Sequence, residues 1–140
     1  MQLELIRSIT DLRVPALAFA NARSLTRQIH LHVGPTNSGK THGALVTLSR
    51  ARTGMYAGPL RLLAHEVWER MNQGTISPGI PPRACNLRTG EEVRMVDEYA
   101  GLLSCTVEMA DVTRPYDVAV IDEIQMIADP QRGFAWTHAV

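Results

Sequence analysis

The pattern of apolar and polar positions alternates between short apolar runs and longer stretches with helical spacing. The apolar runs are typical of buried strands, and they cover residues 29–33, 54–58, 84–87, 103–107 and 117–121. A chain that alternates strands with helices favours right-handed crossovers and a parallel sheet, in which ligands bind at the carboxyl ends of the strands. We therefore expect an α/β fold whose chemistry lies at that edge.

Helical periodicity predicts two helices, from Lys40 to about Arg52 and from Leu60 to Asn72. The second helix carries one apolar face, which we expect to lie in the core: Leu60, Leu63, Ala64, Val67, Trp68 and Met71. Residues 74–82 contain three prolines and two glycines and are predicted to form a surface loop. We interpret residues 1–28 as a helical or irregular lead-in and residues 29–140 as the domain.

The segment that follows the first predicted strand has the pattern G-x-x-x-x-G-K-[ST] of a phosphate-binding loop. Its residues are Gly34, Pro35, Thr36, Asn37, Ser38, Gly39, Lys40 and Thr41. The glycines allow a tight turn whose N–H groups converge on a polyphosphate, and the following helix adds its positive amino end. Lys40 would bind the β and γ phosphates, and the Thr41 hydroxyl would coordinate the Mg²⁺ that bridges them.

Two carboxylates follow the last predicted strand, in the sequence Asp122-Glu123-Ile124-Gln125. Alone, such a pair would more often be a helix N-cap followed by a first-turn acid. A phosphate-binding loop upstream favours the other interpretation, an NTPase site. Asp122 is then the expected Mg²⁺ ligand, and Glu123 is the candidate base that polarises the attacking water.

Several longer motifs resemble one family, the mitochondrial ATP-dependent RNA helicases of the RNA degradosome, a Ski-two-like branch of superfamily two. They are HVGPTNSGKT, AGPLRLLAHE, TGEE, SCTVEM and PYDVAVIDEIQMIADPQRGFAWT. The resemblance extends from about Asp11 to the end, and the DEIQ box with its DP-x-RG tail is specific to this family. It implies a P-loop NTPase with a RecA-like parallel sheet and flanking helices, which binds ATP and Mg²⁺.

The resemblance also implies an RNA site and partners. It assigns contact with single-stranded or partly duplex RNA to Pro59, Arg61, Thr89, Gly90, Thr106 and Glu108. None of these reads a base, so we expect binding that is independent of sequence. Gln125 would join Lys40 and Glu123 in catalysis, because in the family it faces the cleft to a second RecA-like domain. An exoribonuclease partner and a mitochondrial matrix location follow from the resemblance alone.

Length and composition limit the number of domains and the way in which RNA could bind. The chain has 140 residues, enough for one domain, with fourteen basic and fourteen acidic residues, so RNA binding has to be local. No apolar stretch is long enough to span a membrane. Two alternatives stay open: a nucleoside kinase of the thymidine-kinase type, and a non-catalytic nucleotide-binding or RNA-binding module.

In RecA-like helicase domains, the next strand after the Trp136 helix inserts between the loop strand and the acidic-box strand. That strand and the second domain are absent from these residues, so the domain is expected to be incomplete, ending before motif III. Residues 29–33 and 118–121 would then flank a gap or pair with each other. We accordingly expect the isolated 140 residues to be marginally stable, prone to aggregation and without unwinding activity.

Overall fold

The computed structural model describes residues 24–35 and 39–140. The chain divides into a unit of residues 1–31 and a unit of residues 32–140, and all the elements named here belong to the second. In chain order they are α1 (Lys40–Arg50), β1 (Gly54–Gly58), α2 (Arg61–Gln73), β2 (Cys85–Arg88), β3 (Val93–Arg94), β4 (Leu102–Thr106), a 3-10 helix (Val107–Met109), β5 (Val118–Ile121), a 3-10 helix (Ile124–Ala128) and α3 (Gly133–Ala139). Apart from the first strand, the predicted strands and helices are confirmed to within two residues.

The five strands form one sheet in the order β3-β2-β4-β1-β5. Strand β1 is parallel to β4 on one side and to β5 on the other, and β2 is parallel to β4. The short β3 returns antiparallel to β2 and forms a hairpin in the polar segment between the two predicted strands. This topology confirms the α/β class and is consistent with a RecA-like helicase domain.

Helices cover both faces of the sheet. Helices α1 and α2 pack on one face, in a cluster of Leu45, Leu48, Tyr56, Val67, Met71, Ile76, Ile80, Cys85 and Leu102. Helix α3 packs on the other face, in a cluster of Met55, Ala57, Cys105, Val107, Ala135 and Trp136. Every residue of β1 is buried, because this strand lies between both layers.

Helix α2 approaches the sheet closely where small side chains meet. Ala64 and Ser104 are fully buried, and the Ser104 hydroxyl donates a hydrogen bond of 2.6 Å to the Ala64 carbonyl. The predicted apolar face is correct for Ala64, Val67 and Met71, which are buried. It is wrong at its first position, since Leu60 precedes the helix and is 55% exposed, and Trp68 is only partly buried at the cluster's margin.

The predicted surface loop of residues 74–82 contributes to the core. The residues form no helix or strand, as expected, yet the side chains of Ile76 and Ile80 are buried. They pack in the same cluster as Met71 of α2. The Pro and Gly content therefore predicted the irregular backbone correctly but not the two isoleucines that attach it to the sheet.

The predicted strand at residues 29–33 is not formed, which corrects the expectation from the alternating sequence. Ile29, Leu31 and Val33 are 82%, 69% and 82% exposed, and the backbone is irregular. A strand is stable only when its N–H and C=O groups pair with a neighbour. Neither arrangement expected for this segment, a flanked gap or direct pairing with residues 118–121, occurs among the described strands.

The amino edge of the sheet is closed by a tight backbone contact. Gly54 donates its N–H to the Gly101 carbonyl at 2.9 Å, and Arg83 donates to the carbonyls of Ser49 and Ala51 at the end of α1. A Cβ atom added at Gly101 would lie 2.2 Å from the Arg52 carbonyl oxygen. The turn before β4 therefore has no space for a side chain.

We expect Gly101→Ala to destabilise the fold, because the added methyl group must displace backbone rather than a flexible side chain. Overpacking of this kind costs about 1 to 3 kcal/mol. Gly90→Ala is the matched control, since a Cβ at Gly90 meets nothing within 4 Å. Equal unfolding midpoints of the two variants in urea would contradict this assignment.

Candidate functional site

The carboxyl ends of the four parallel strands lie side by side along one edge of the sheet. Gly58 of β1 lies opposite Thr106 of β4, and Ala57 lies opposite Ile121 of β5. Arg88 of β2 lies opposite Cys105, so β2 ends at the same level. With neighbouring strands about 4.8 Å apart, the edge spans roughly 14 Å. The segments that follow the strands, in spatial order, are Thr89-Gly90, Thr106–Glu108, Pro59–Arg61 and Asp122-Glu123.

Helix α1 begins in the predicted phosphate-binding loop. Gly39, its N-cap, has φ 80° and ψ 9°, a left-handed conformation that favours glycine, although there is space for a side chain. Lys40 is the first helical residue, and its Nζ donates a hydrogen bond of 3.1 Å to the Gly34 carbonyl. Pro35 is exposed and Thr41 is partly buried. The predicted ligands Thr36, Asn37 and Ser38 lie outside the described residues.

The direction of α1 follows from its packing. A Cβ at Gly54, the first residue of β1, would lie 2.4 Å from the Leu48 side chain, so the carboxyl end of α1 meets the amino ends of the strands. Leu45 and Leu48 pack in the cluster that also contacts Val118 and Val120 of β5. Helix α1 therefore runs back along the sheet, and its amino end with Lys40 is directed towards the carboxyl edge.

Asp122 is fixed by four hydrogen bonds. Its backbone N–H donates to the Ala57 carbonyl at 2.9 Å, and its own carbonyl accepts from the Trp136 indole at 3.0 Å. In the carboxylate, Oδ2 accepts from the Tyr56 hydroxyl at 2.8 Å and Oδ1 accepts from the Glu123 N–H at 2.9 Å. Each carboxylate oxygen retains a lone pair, so Asp122 can still bind a cation.

The Asp122 carboxylate lies on the face of the sheet that α1 covers. Val118 and Val120 pack on that face and Ile121 packs on the other, so alternation directs residue 122 to the α1 side. The buried Tyr56 hydroxyl confirms this placement, since it belongs to the same cluster. Burial, reinforced by the neighbouring Asp122 carboxylate, raises the pKa of Tyr56 and keeps the hydroxyl protonated as a donor.

Glu123 has an unusual backbone conformation. Its φ of 54° and ψ of 51° are left-handed, and in residues 24–35 and 39–140 no other non-glycine residue has a positive φ. Such strain costs about 1 to 3 kcal/mol and is concentrated at functional sites. The Glu123 carbonyl accepts from the Met126 N–H at 2.9 Å, and its carboxylate accepts a hydrogen bond from Gln125 Nε2. The two predicted catalytic side chains are therefore in direct contact.

One predicted RNA-contact segment, Thr89-Gly90, presents backbone rather than a hydroxyl. Thr89 is 3% exposed, and its hydroxyl accepts hydrogen bonds from the N–H groups of Glu91 at 3.3 Å and Glu92 at 3.1 Å. The hydroxyl therefore closes the turn. Gly90 is exposed and remains accessible.

Arg61 begins α2 beside a shallow groove. Its guanidinium forms an ion pair with the Glu91 carboxylate, and both side chains are more than half exposed. The groove has a volume of about 300 Å³ and is lined by Arg61, Leu62, His65, Glu91 and Glu92. A phosphate that binds Arg61 therefore has to compete with Glu91 for the guanidinium.

The central predicted RNA segments meet at a residue that we did not identify from the sequence. Arg132 Nε donates to the Glu108 carboxylate at 2.8 Å, and Nη2 donates to the Pro59 carbonyl at 2.8 Å. Nη2 also lies 2.7 Å from the same Glu108 oxygen, as an ion pair. The Thr106 hydroxyl has no hydrogen-bond partner within the described part of the chain. The DP-x-RG motif was the sequence signal that could have identified Arg132.

The motifs at this edge match a known helicase family. The family model for the DEXQ-box helicase domain of Suv3 matches residues 15–140. The chain belongs to this family. The resemblance deduced from the loop, the acidic box and the intervening motifs is thereby confirmed.

Three relatives illustrate the similarity. The chain is 51% identical to the ATP-dependent RNA helicase SUPV3L1, mitochondrial, of Homo sapiens, over 96% of the chain and 17% of that protein. It is 52% identical to the SUV3 homolog, mitochondrial, of Drosophila melanogaster, over 96% of the chain and 17% of that protein. It is 53% identical to SUV3, mitochondrial, of Candida albicans, over 93% of the chain and 18% of that protein. The chain thus spans less than a fifth of the length of these curated relatives.

The described residues contain neither a cluster of metal-ligating side chains nor a membrane-spanning helix. Among the described residues, no group of three or more His, Cys, Asp or Glu side chains is arranged to hold a metal ion. In the same part of the chain, no helix combines the length and apolar character needed to cross a membrane.

The Tyr56 hydrogen bond predicts a specific dependence of stability on pH. The folded-state pKa of Tyr56 is raised above the ordinary value of 10.0, so its contribution to stability is full below pH 10 and declines as pH rises further. We expect Tyr56→Phe to lack this decline, measured by urea unfolding between pH 8 and pH 11. At neutral pH the same variant should lose about 1 to 3 kcal/mol with the hydrogen bond to Asp122.

Tyr99→Phe is the matched control, because Tyr99 is 86% exposed. It should show the wild-type pH dependence. A Tyr56→Phe variant whose stability declines above pH 10 as steeply as that of the control would contradict the assignment.

Proposed function

We propose that this chain is the nucleotide-binding part of an ATP-dependent RNA helicase. In this proposal, residues 34–41 and the acidic box of residues 122–125 bind ATP and Mg²⁺ between them. One observation supports it most: the Asp122 carboxylate lies on the face covered by α1 and at the edge towards which Lys40 is directed. Membership in the Suv3 family supports the same activity.

The available ligands suit Mg²⁺ that arrives with a nucleotide. Thr41 offers a hydroxyl and Asp122 a carboxylate, too few groups to hold a metal ion alone. Mg²⁺ retains several waters and is usually bound by one or two carboxylates together with substrate phosphates. The bound ion would neutralise charge that develops on the phosphates during transfer. Lys40 would exchange the Gly34 carbonyl for a phosphate oxygen.

Glu123 and Gln125 would act on the attacking water. Glu123 is the proposed base, and its left-handed backbone conformation directs the chain away from β5 immediately after the Mg²⁺ ligand. The Gln125 amide donates a hydrogen bond to the Glu123 carboxylate. A movement of Gln125 would break this bond and leave the carboxylate oxygen available to accept the proton of water. This contact supports a role for Gln125 in coupling hydrolysis to a second RecA-like domain.

RNA would bind along the carboxyl edge of β2, β4 and β1. The groups available there are the Gly90 backbone, the Thr106 hydroxyl, the amino end of α2 after Pro59, and Arg61 once Glu91 is displaced. All are suited to phosphate and sugar rather than to base edges. We propose that Thr89 contributes by fixing the turn, and that Glu108 contributes through its segment rather than by binding phosphate directly.

The wider assignments rest on the relatives. The named relatives are mitochondrial RNA helicases, and we propose the mitochondrial matrix and RNA turnover for this protein as well. A second RecA-like domain and an exoribonuclease partner are proposed from the resemblance, as is the division into residues 1–28 and 29–140. The comparisons favour the helicase over the nucleoside kinase.

The nucleotide site predicts two contrasting phenotypes in the complete natural protein. Lys40→Ala should weaken ATP binding by about tenfold to a hundredfold, because it removes the cation nearest the phosphates. Glu123→Gln should bind ATP normally but stop hydrolysis, because an amide does not accept the proton of water at neutral pH. Calorimetry with Mg²⁺-ATP and steady-state phosphate release measure the two effects.

Each variant has a control within the chain. Arg50→Ala removes an exposed cation from the far end of α1, and Glu98→Gln neutralises an exposed carboxylate in the loop before β4. Both should behave as wild type. ATP affinity unchanged by Lys40→Ala would disprove the phosphate site, and full turnover by Glu123→Gln would remove that residue from the role of base. ATP binding without turnover by the wild type would instead favour the non-catalytic module.

The proposed RNA contacts predict that the affinity for single-stranded RNA does not depend on its base sequence. Binding of short single strands to the complete protein should weaken steadily with added salt, because phosphate contacts release counterions. Strands of equal length and different sequence should bind within about threefold of one another. A pronounced preference for one short sequence in a binding selection would contradict the proposed contacts.

A further inference from the structure

Arg132 connects three elements that are distant in the chain. Its guanidinium hydrogen bonds to the Glu108 carboxylate after β4 and to the Pro59 carbonyl after β1, and it lies 5.2 Å from the centre of the Trp136 ring on α3. The side chains of Arg132 and Glu108 are 37% and 35% exposed. Partial burial, a planar guanidinium and several acceptors distinguish this contact from an ordinary surface ion pair.

The backbone around Arg132 is fixed by its own turn. Asp129 Oδ1 accepts hydrogen bonds from the N–H groups of Gln131 at 2.9 Å and Arg132 at 2.8 Å. Gly133 donates its N–H to the Asp129 carbonyl at 2.9 Å, and a Cβ at Gly133 would lie 2.4 Å from the Ile127 carbonyl oxygen. Asp129 and Gly133 therefore place Arg132 at one position at the start of α3.

The same helix contacts the acidic box. The Trp136 indole, which lies beneath the Arg132 guanidinium, is fully buried and donates to the Asp122 carbonyl at 3.0 Å. The peptide bond that contains this carbonyl joins Asp122 to Glu123. A continuous set of contacts thus runs from the proposed RNA segments, through Arg132 and Trp136, to the proposed Mg²⁺ ligand and base.

We propose that Arg132 is a positioning residue that couples RNA binding to nucleotide binding. It holds the segments after β1 and β4 in one arrangement and transmits their displacement through Trp136 to the acidic box. The inference rests on the proposed helicase function and adds a residue that touches neither ligand. Lysine would keep the charge but lose the Nε donor to Glu108 and the planar guanidinium over the Trp136 ring.

The test measures the affinity of the complete natural protein for a fluorescent oligoribonucleotide, with and without Mg²⁺ and a non-hydrolysable ATP analogue. The ratio of the two RNA affinities reports the coupling between the sites. We expect Arg132→Ala to move this ratio towards one by about fivefold or more, with the affinity for the analogue in the absence of RNA unchanged within about twofold. A purely structural defect would weaken analogue binding and leave no selective loss of the ratio.

Arg114→Ala is the matched control. Arg114 also pairs with a carboxylate, that of Asp111, and lies 4.8 Å from the centre of the Tyr116 ring, but among the described residues it has no hydrogen bond or ion pair with a proposed site segment. This variant should keep the wild-type ratio. Arg132→Lys retains the charge and most of the side chain, so it decides the result if Arg132→Ala fails to fold.

The outcomes separate the two hypotheses. A wild-type protein that binds neither RNA nor the analogue would disprove the proposed function. A wild-type ratio of one, or an undiminished ratio in folded Arg132→Ala, would overturn the role of Arg132 and leave the proposed function intact. An undiminished ratio in Arg132→Lys would overturn the guanidinium contacts with Glu108 and Trp136 on which the inference depends.

Discussion

The pairing of β1 on both of its edges is the constraint on which the rest of the structure depends. It fixes β4 and β5 in parallel register, so the three carboxyl ends reach the same level. A slip of one residue between β1 and β5 would direct the Asp122 carboxylate away from the α1 face, since successive side chains alternate. It would also remove the bond from Tyr56. The position of the Asp122 carboxylate therefore follows from strand register.

The reactive groups at this edge already have partners within the chain. Lys40 binds the Gly34 carbonyl, the Asp122 carboxylate accepts from Tyr56, and Glu123 accepts from Gln125. A ligand that binds these groups therefore replaces hydrogen bonds that already exist within the chain. Its binding free energy is the difference between the new contacts and those it replaces. This exchange also means that the proposed nucleotide and RNA ligands would alter the protein's own contacts on binding.

The elements bounded by glycine or proline, such as β1 and α2, were predictable because local apolar spacing and a helix-ending glycine define them. Residues 29–33 have the same local pattern, but a strand needs a partner that local sequence does not specify. The role of the Thr89 hydroxyl in closing its turn was not predicted, because the N–H groups that bond to it come from the turn itself. Arg132 was missed because Glu108 and Pro59 lie 24 and 73 positions away in the chain.

Lys40 is the single lysine of the chain, and the other side-chain cations are arginines or histidines. Its Nζ, held against the Gly34 carbonyl at the start of α1, is therefore the one side-chain amine available to acylating reagents. Acetylation of lysine removes its positive charge. Within these 140 residues, covalent labelling of side-chain amines thus marks the predicted phosphate-binding loop alone, and a single acetyl group would remove the positive charge of Lys40.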